Sequence, residues 1–156
     1  MTGLCDSFQR PINYLRISVT DRCNLRCIYC MPTTGVCQMA HKDILTYEEI
    51  YTVVQASAEL GIDKVRLTGG EPLVRLDLAK LIQMLKQIDT IDDISLTTNG
   101  TLLSPHAAEL KQAGLKRVNV SLDTLKPDKF RRITRSGYEL SEVLEGIDTA
   151  RSVGLN

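Results

Sequence analysis

The stretch Tyr14-Leu15-Arg16-Ile17-Ser18-Val19-Thr20 alternates, with Leu15, Ile17 and Val19 set against Tyr14, Arg16, Ser18 and Thr20. A period of two belongs to a strand whose two faces meet different surroundings. Three later segments read the same way. Val65 and Leu67 oppose Arg66 and Thr68; Ile94 and Leu96 oppose Ser95, Thr97 and Asn99; Val118, Val120 and Leu122 oppose Asn119, Ser121 and Asp123. The predicted strands are Tyr14–Thr20, Lys64–Thr68, Asp93–Thr97 and Arg117–Ser121.

Helical signals fill the gaps between them. Thr46 and Glu49 form a capping box ahead of a helix that runs to about Leu60, where Gly61 supplies the stop. From Asp77 to Ile88, Leu78, Leu81, Ile82 and Leu85 make a core-facing stripe. Ser104-Pro105 reads as an N-cap followed by proline at the first helical position, and Gly114 ends that helix. Ser141 opens a last helix carrying Val143, Leu144, Ile147 and Ala150, stopped by Gly154.

About four βα units in series imply right-handed crossovers and a parallel sheet. A parallel strand buried on both faces would be apolar throughout. These strands are half polar, which favours part of a (βα) barrel over an open doubly wound sheet. Helices then cover the apolar face, and the polar face lines a wet cavity. In barrels, chemistry gathers at the C-terminal strand ends. The segments there are the cysteine loop, Gly69-Gly70-Glu71-Pro72 and Thr98-Asn99-Gly100. Gly154-Leu155-Asn156 reads as a helix stop followed by the first step of a fifth strand. The expectation is one α/β domain over residues 1–156, truncated before the barrel is complete.

Composition narrows the function classes. The 156 residues carry 19 basic and 19 acidic side chains, and 43% of them are hydrophobic. Zero net charge argues against nucleic acid or an anionic membrane as partner. No stretch has the apolar length to span a bilayer, and the first residues lack a secretory pattern, so the expected location is cytoplasmic.

Three of the five cysteines, Cys23, Cys27 and Cys30, fall within eight residues as C-x₃-C-x₂-C. In a reducing compartment that clustering points to metal rather than disulfides. Zinc sites and most iron–sulfur clusters use four protein ligands. Three thiolates would leave one iron of a cubane open. A zinc site completed by Cys37, or an unmetallated thiol loop, is the alternative that spacing leaves standing.

The cysteine loop, with Asn24 after the first cysteine and Tyr29 before the last, resembles the radical S-adenosylmethionine (SAM) superfamily. The run Tyr14–Thr20, then Arg66-Leu67-Thr68-Gly69-Gly70-Glu71-Pro72-Leu73, Thr97-Thr98-Asn99-Gly100 and Asn119-Val120-Ser121-Leu122-Asp123-Thr124 resemble, in this order, the GTP 3′,8-cyclases of molybdenum-cofactor biosynthesis. That resemblance implies a partial barrel of the radical SAM type and a [4Fe–4S] cluster on Cys23, Cys27 and Cys30. It implies SAM at Tyr29, Gly70 and Ser121, with Glu71 a neighbour, and GTP at Arg16, Arg66 and Thr97. The reaction implied is a lyase reaction in which a SAM-derived radical takes the ribose 3′ hydrogen of GTP and the ribose carbon joins guanine C8. An electron donor, a downstream pterin-forming enzyme and a homodimer are implied as partners. No residue is singled out as a catalytic acid, base or nucleophile.

The residues themselves agree with part of this. Arg16 and Arg66 on a polar strand face need an anionic partner, and a triphosphate suits the guanidinium fork. Gly69 and Gly70 permit close backbone approach to a ligand, or simply a tight turn into Pro72. Arg66 could instead pair with Asp123. Ser121 and Thr97 could be satisfied polar groups. Another radical SAM enzyme and a zinc-stabilised binding domain remain alternative readings. The family's three further cysteines do not follow Cys37 in this sequence, so the chain alone is expected to hold a cluster and SAM without cyclising GTP efficiently.

Overall fold

The structure is a computed structural model and describes residues 3–155. Strands β1 (Tyr14–Ser18), β2 (Lys64–Thr68), β3 (Asp93–Thr98) and β4 (Arg117–Val120) form one parallel sheet in the order β1-β2-β3-β4. Helices α1 (Tyr47–Glu59), α2 (Leu78–Lys86) and α3 (Leu103–Ala113) connect them in turn, and α4 (Pro127–Thr134) and α5 (Leu140–Ser152) follow β4. Sequential order with helical crossovers is the barrel pattern, open here after four strands.

The alternation in sequence is the alternation in burial. Val65, Leu67 and Leu96 are fully buried, Ile94 nearly so, and all four join the main core with Ile50, Val54, Leu81, Ile82, Leu85 and Leu110 from the helices. Burying an aliphatic side chain of this size stabilises the fold by about 1.5–3 kcal/mol each. A satellite cluster of Phe130, Leu140 and Val143 seats α4 against α5.

Strands β1, β3 and β4 end one or two residues from their expected bounds, and four helical details depart from the expected pattern. Helix α3 starts at Leu103, so Ser104 and Pro105 lie inside its first turn, where a missing N–H costs nothing. Helix α5 is capped by a box of Glu139 and Glu142 rather than by Ser141. Helix α2 ends at Lys86, not Ile88. Helix α4 was not expected, because Phe130 and Ile133 are too few apolar residues to make a stripe. Its sequence signal is Pro127 at the N-terminus with Asp128 in the first turn.

The polar face is not wholly wet. Ser95 is 1% exposed. It receives the Arg66 Nε–H at 3.3 Å, and the Arg66 guanidinium lies 5.5 Å from the Tyr14 ring centre. Among the described residues, no helix is long and apolar enough to cross a membrane.

Candidate active site

Three strand-end loops meet above the sheet. The first is the irregular segment after β1 that carries Cys23, Cys27 and Cys30, all three with free thiols. Cys30 is exposed, and Cys23 and Cys27 are half-buried. Its shape comes from arginine and backbone contacts. The Arg26 guanidinium donates to the Cys23 and Leu25 carbonyls at 2.6 and 2.9 Å. The N–H groups of Arg26 and Ile28 donate, at 2.9 Å each, to the Thr134 and Ile133 carbonyls at the end of α4. Arg135, in the left-handed region at φ 48°, donates to the carbonyls of Arg26, Cys27 and Met31. The unexpected helix α4 is therefore the anchor of the cysteine loop.

The second loop, Gly69-Gly70-Glu71, docks directly under the first. Gly70 N–H donates to Thr20 O and Glu71 N–H to Arg22 O, both at 2.8 Å. A Cβ on Gly69 would collide with the Thr20 carbonyl, and one on Gly70 with the Arg22 carbonyl. The close approach that these glycines permit is thus to the cysteine loop's own backbone. Gly70 remains exposed on its other side. Its N–H being taken, what it can offer a ligand is a carbonyl acceptor, which suits an ammonium group.

Glu71 is fully buried. Oε1 accepts from the Leu73 N–H at 3.0 Å and the Thr98 hydroxyl at 2.7 Å, and Oε2 from the Asn99 N–H at 2.7 Å. Burial pushes its carboxyl upward, against the pull of these three bonds. In the third loop, the Asn99 amide donates to Asn24 Oδ1 at 2.8 Å. The Asn24 amide donates to the Thr101 hydroxyl at 2.9 Å, and that hydroxyl donates to Asn99 Oδ1 at 2.7 Å.

Burial pushes the Cys23 thiol up, while the Leu25 N–H, 3.4 Å from its sulfur, and the Asn99 side chain pull it down. Cys27 is likewise raised, first by burial. The Tyr29 hydroxyl donates to Asp123 Oδ2 at 2.8 Å, which ties the cysteine loop to the segment after β4. Desolvation of the hydroxyl and this bond together hold its phenol well above the ordinary 10. Asp123 is thereby engaged by Tyr29 and not by Arg66.

The remaining singled-out residues lie below, on the polar face of the sheet. Arg16 pairs with Arg66 in the register of β1 and β2, and Thr97 pairs with Asn119 in that of β3 and β4. Ser121 is exposed just past β4, its N–H donating to Thr98 O at 2.9 Å. A cavity of about 500 Å³ between Thr20, Arg22, His41, Tyr47 and Leu76 is lined by none of the predicted site residues. Sequence reasoning missed Arg26, Arg135 and the bracing roles of Asn24 and Asn99.

The donor set fits a cluster that needs thiolates and one open position: three free thiols in one pinned loop. The zinc alternative needs Cys37 as a fourth ligand. Among the described residues, no three His, Cys, Asp or Glu side chains are gathered as an ion site, the three cysteines of the loop included, so the arrangement of the thiols favours neither metal; the Cys37 thiol faces the Gln38 carbonyl at 4.0 Å.

Comparison with known proteins follows the same lines. The family model described as the Radical SAM superfamily matches residues 17–156. The chain is 59% identical over 150 residues to a GTP 3′,8-cyclase of Alkaliphilus oremlandii, covering 96% of this chain and 47% of that protein. It is 61% identical over 152 residues to one of Peptoclostridium acidaminophilum, covering 97% and 46%. The chain thus spans about half the length of the relatives it matches. Among solved structures it resembles SuiB of Streptococcus suis, with TM-score 0.75 at 18% identity, over 92% of this chain and 31% of that one. It resembles methylornithine synthase with TM-score 0.71 at 18% identity, over 91% and 42%. At such identities the structures speak for the fold alone.

Proposed function

The chain belongs to the radical SAM superfamily, and from that premise we propose that it is the cluster-carrying, N-terminal portion of a cytoplasmic GTP 3′,8-cyclase of molybdenum-cofactor biosynthesis. The observation that carries the reading is Arg16 beside Arg66 on the polar sheet face, beneath the cysteine loop, with no carboxylate on either among the described residues. The relatives of 59% and 61% identity, spanning nearly the whole chain, support it.

In this reading Cys23, Cys27 and Cys30 hold a [4Fe–4S] cluster and leave one iron open. When bound, the cluster supplies the single electron that cleaves SAM and starts radical chemistry. The chain's own work is positioning. The Gly70 carbonyl receives the methionine ammonium, the backbone at Tyr29 lies along the adenine, and Ser121 adds a polar contact from the β4 side. Arg16 and Arg66 grip the triphosphate of GTP, and Thr97, two residues beyond the Ser95 that pairs with Arg66, sits nearer the strand ends to meet the nucleoside. In this reading the ribose lies between the phosphate grip and the loop that carries the cluster. An external electron donor, a pterin-forming enzyme that takes the product, and a homodimeric state belong to the same proposal, as does the assignment of residues 1–156 to a single domain.

Anaerobic reconstitution with iron and sulfide, followed by EPR of the reduced protein with and without SAM, tests the cluster. A reduced [4Fe–4S] signal that changes with SAM supports the reading. Zinc without labile sulfide overturns it. Titration with GTP then tests the substrate, with Arg16→Ala and Arg66→Ala expected to weaken binding.

A further inference from the structure

Of the two arginines side by side on the polar face, Arg66 is held by its neighbours. Its Nε–H donates to the Ser95 hydroxyl oxygen at 3.3 Å, and its guanidinium carbon lies over the Tyr14 ring, 5.5 Å from the centre. Ser95 is 1% exposed and stands opposite Arg66 in the register of β2 and β3. Its own O–H donates to the Val65 carbonyl at 3.4 Å, which turns the proton away and leaves a lone pair for Arg66. Tyr14 lies on the other side. It comes two residues before Arg16, the partner of Arg66 in β1, so it sits one same-face step toward the N-terminal strand ends.

These two contacts leave a defined part of the guanidinium unused. Nε is taken, and the ring covers one side. The two Nη groups make no hydrogen bond and no ion pair among the described residues. Together they form the end-on edge of the fork, whose parallel N–H groups suit two oxygens of one phosphate. A long side chain that its ligand must first immobilise binds more weakly than one already fixed.

We infer that Ser95 and Tyr14 are positioning residues for Arg66, fixing its guanidinium in the free protein with the two Nη groups presented to a phosphate. This rests on the proposed GTP site. It makes Arg66, rather than Arg16, the preset half of the phosphate grip.

The test is calorimetric titration of the reconstituted full chain with GTP, in wild type, Ser95→Ala, Arg66→Ala and the double variant. Ser95→Ala is expected to weaken GTP binding by roughly three- to tenfold, the weight of one hydrogen bond. In the Arg66→Ala background the same substitution should change nothing, because Ser95 acts through Arg66 alone. A serine that merely packs the sheet would weaken binding alike in both backgrounds. Wild-type affinity in Ser95→Ala, or an equal loss in both backgrounds, overturns the inference and leaves the GTP site standing. Wild type that does not bind GTP, or Arg66→Ala that binds it undiminished, overturns the proposed site and the inference with it. Should Ser95→Ala not fold, Tyr14 decides. Tyr14→Phe keeps the ring and should bind as wild type does. Tyr14→Leu should bind about two- to fivefold more weakly, the weight of an exposed cation–π contact. Equal affinities in these two variants overturn the inference.

Discussion

Arg16 and Arg66 stand directly beside one another in the register of β1 and β2. Like charges side by side on neighbouring strands repel and are destabilising. Arg66 is occupied by Ser95 and the Tyr14 ring, whereas Arg16 is exposed and has no ion-pair or hydrogen-bond partner among the described residues. Arg16→Ala should therefore leave the ligand-free melt unchanged or slightly raised, and should weaken triphosphate binding by about tenfold or more, as for a charge-assisted bond of about 1.5–3 kcal/mol. Calorimetry with GTP and thermal melts read both quantities. Undiminished binding would remove Arg16 from the phosphate site.

Gly70 should tolerate no side chain. Its Cβ would meet the Arg22 carbonyl, which is fixed by the Glu71 N–H at 2.8 Å and cannot yield freely. Gly70→Ala is expected to destabilise by about 1–3 kcal/mol, as overpacking does. It should also lower cluster occupancy, because the displaced backbone is that of the cysteine loop. Urea unfolding and iron content after reconstitution check it. Wild-type values for both would mean that the two loops are not docked as described.

Arg135 holds three carbonyls of the cysteine loop from the end of α4. Arg135→Ala should loosen that loop with little effect on the sheet. The expected signature is faster hydrogen exchange at residues 26–31, with protection of β2 and β3 unchanged. Exchange that rises across the whole chain would show instead that α4 supports the global fold.

Glu71 gives a pH prediction. Its folded pKa lies above the ordinary 4.5, chiefly through burial. A group raised on folding contributes stability that is full below its unfolded pKa and is lost as pH rises through its folded pKa. The window therefore opens near pH 4.5 and extends upward from there. Glu71→Gln removes the titration, so the decline of stability across that window should flatten. At neutral pH the variant should still be less stable, by about 1–3 kcal/mol, because an amide turned toward the Asn99 N–H leaves a buried donor unpaired. Urea melts at a series of pH values read both effects, and an unchanged slope would exclude Glu71 as their source.

The parts legible in the sequence were those that local periodicity carries. A strand with one face on the core alternates because successive side chains point opposite ways, so Val65 and Leu67 announce their burial without reference to any partner. The capping box of Thr46 and Glu49 is equally local, and the structure contains it. The C-x₃-C-x₂-C spacing marks a thiol loop suited to metal within eight residues, with zinc left as the alternative. Helix α4 escaped because two apolar residues do not make a stripe, and Gly69-Gly70 was open to two readings because a glycine does not say what approaches it.

What only the tertiary structure decided is which distant groups satisfy one another. Glu71 reaches Asn99 across 28 positions, Asn24 reaches Thr101 across 77, and Arg135 reaches Arg26 across 109. A buried carboxylate or amide must find donors and acceptors wherever the packed loops bring them. Which ones it finds depends on how the strand-end loops dock, and no local pattern in the chain encodes that. The sequence by itself determined a half-polar parallel sheet and a three-thiol loop at one strand end; the docking of three loops and one short helix decided how that loop is held.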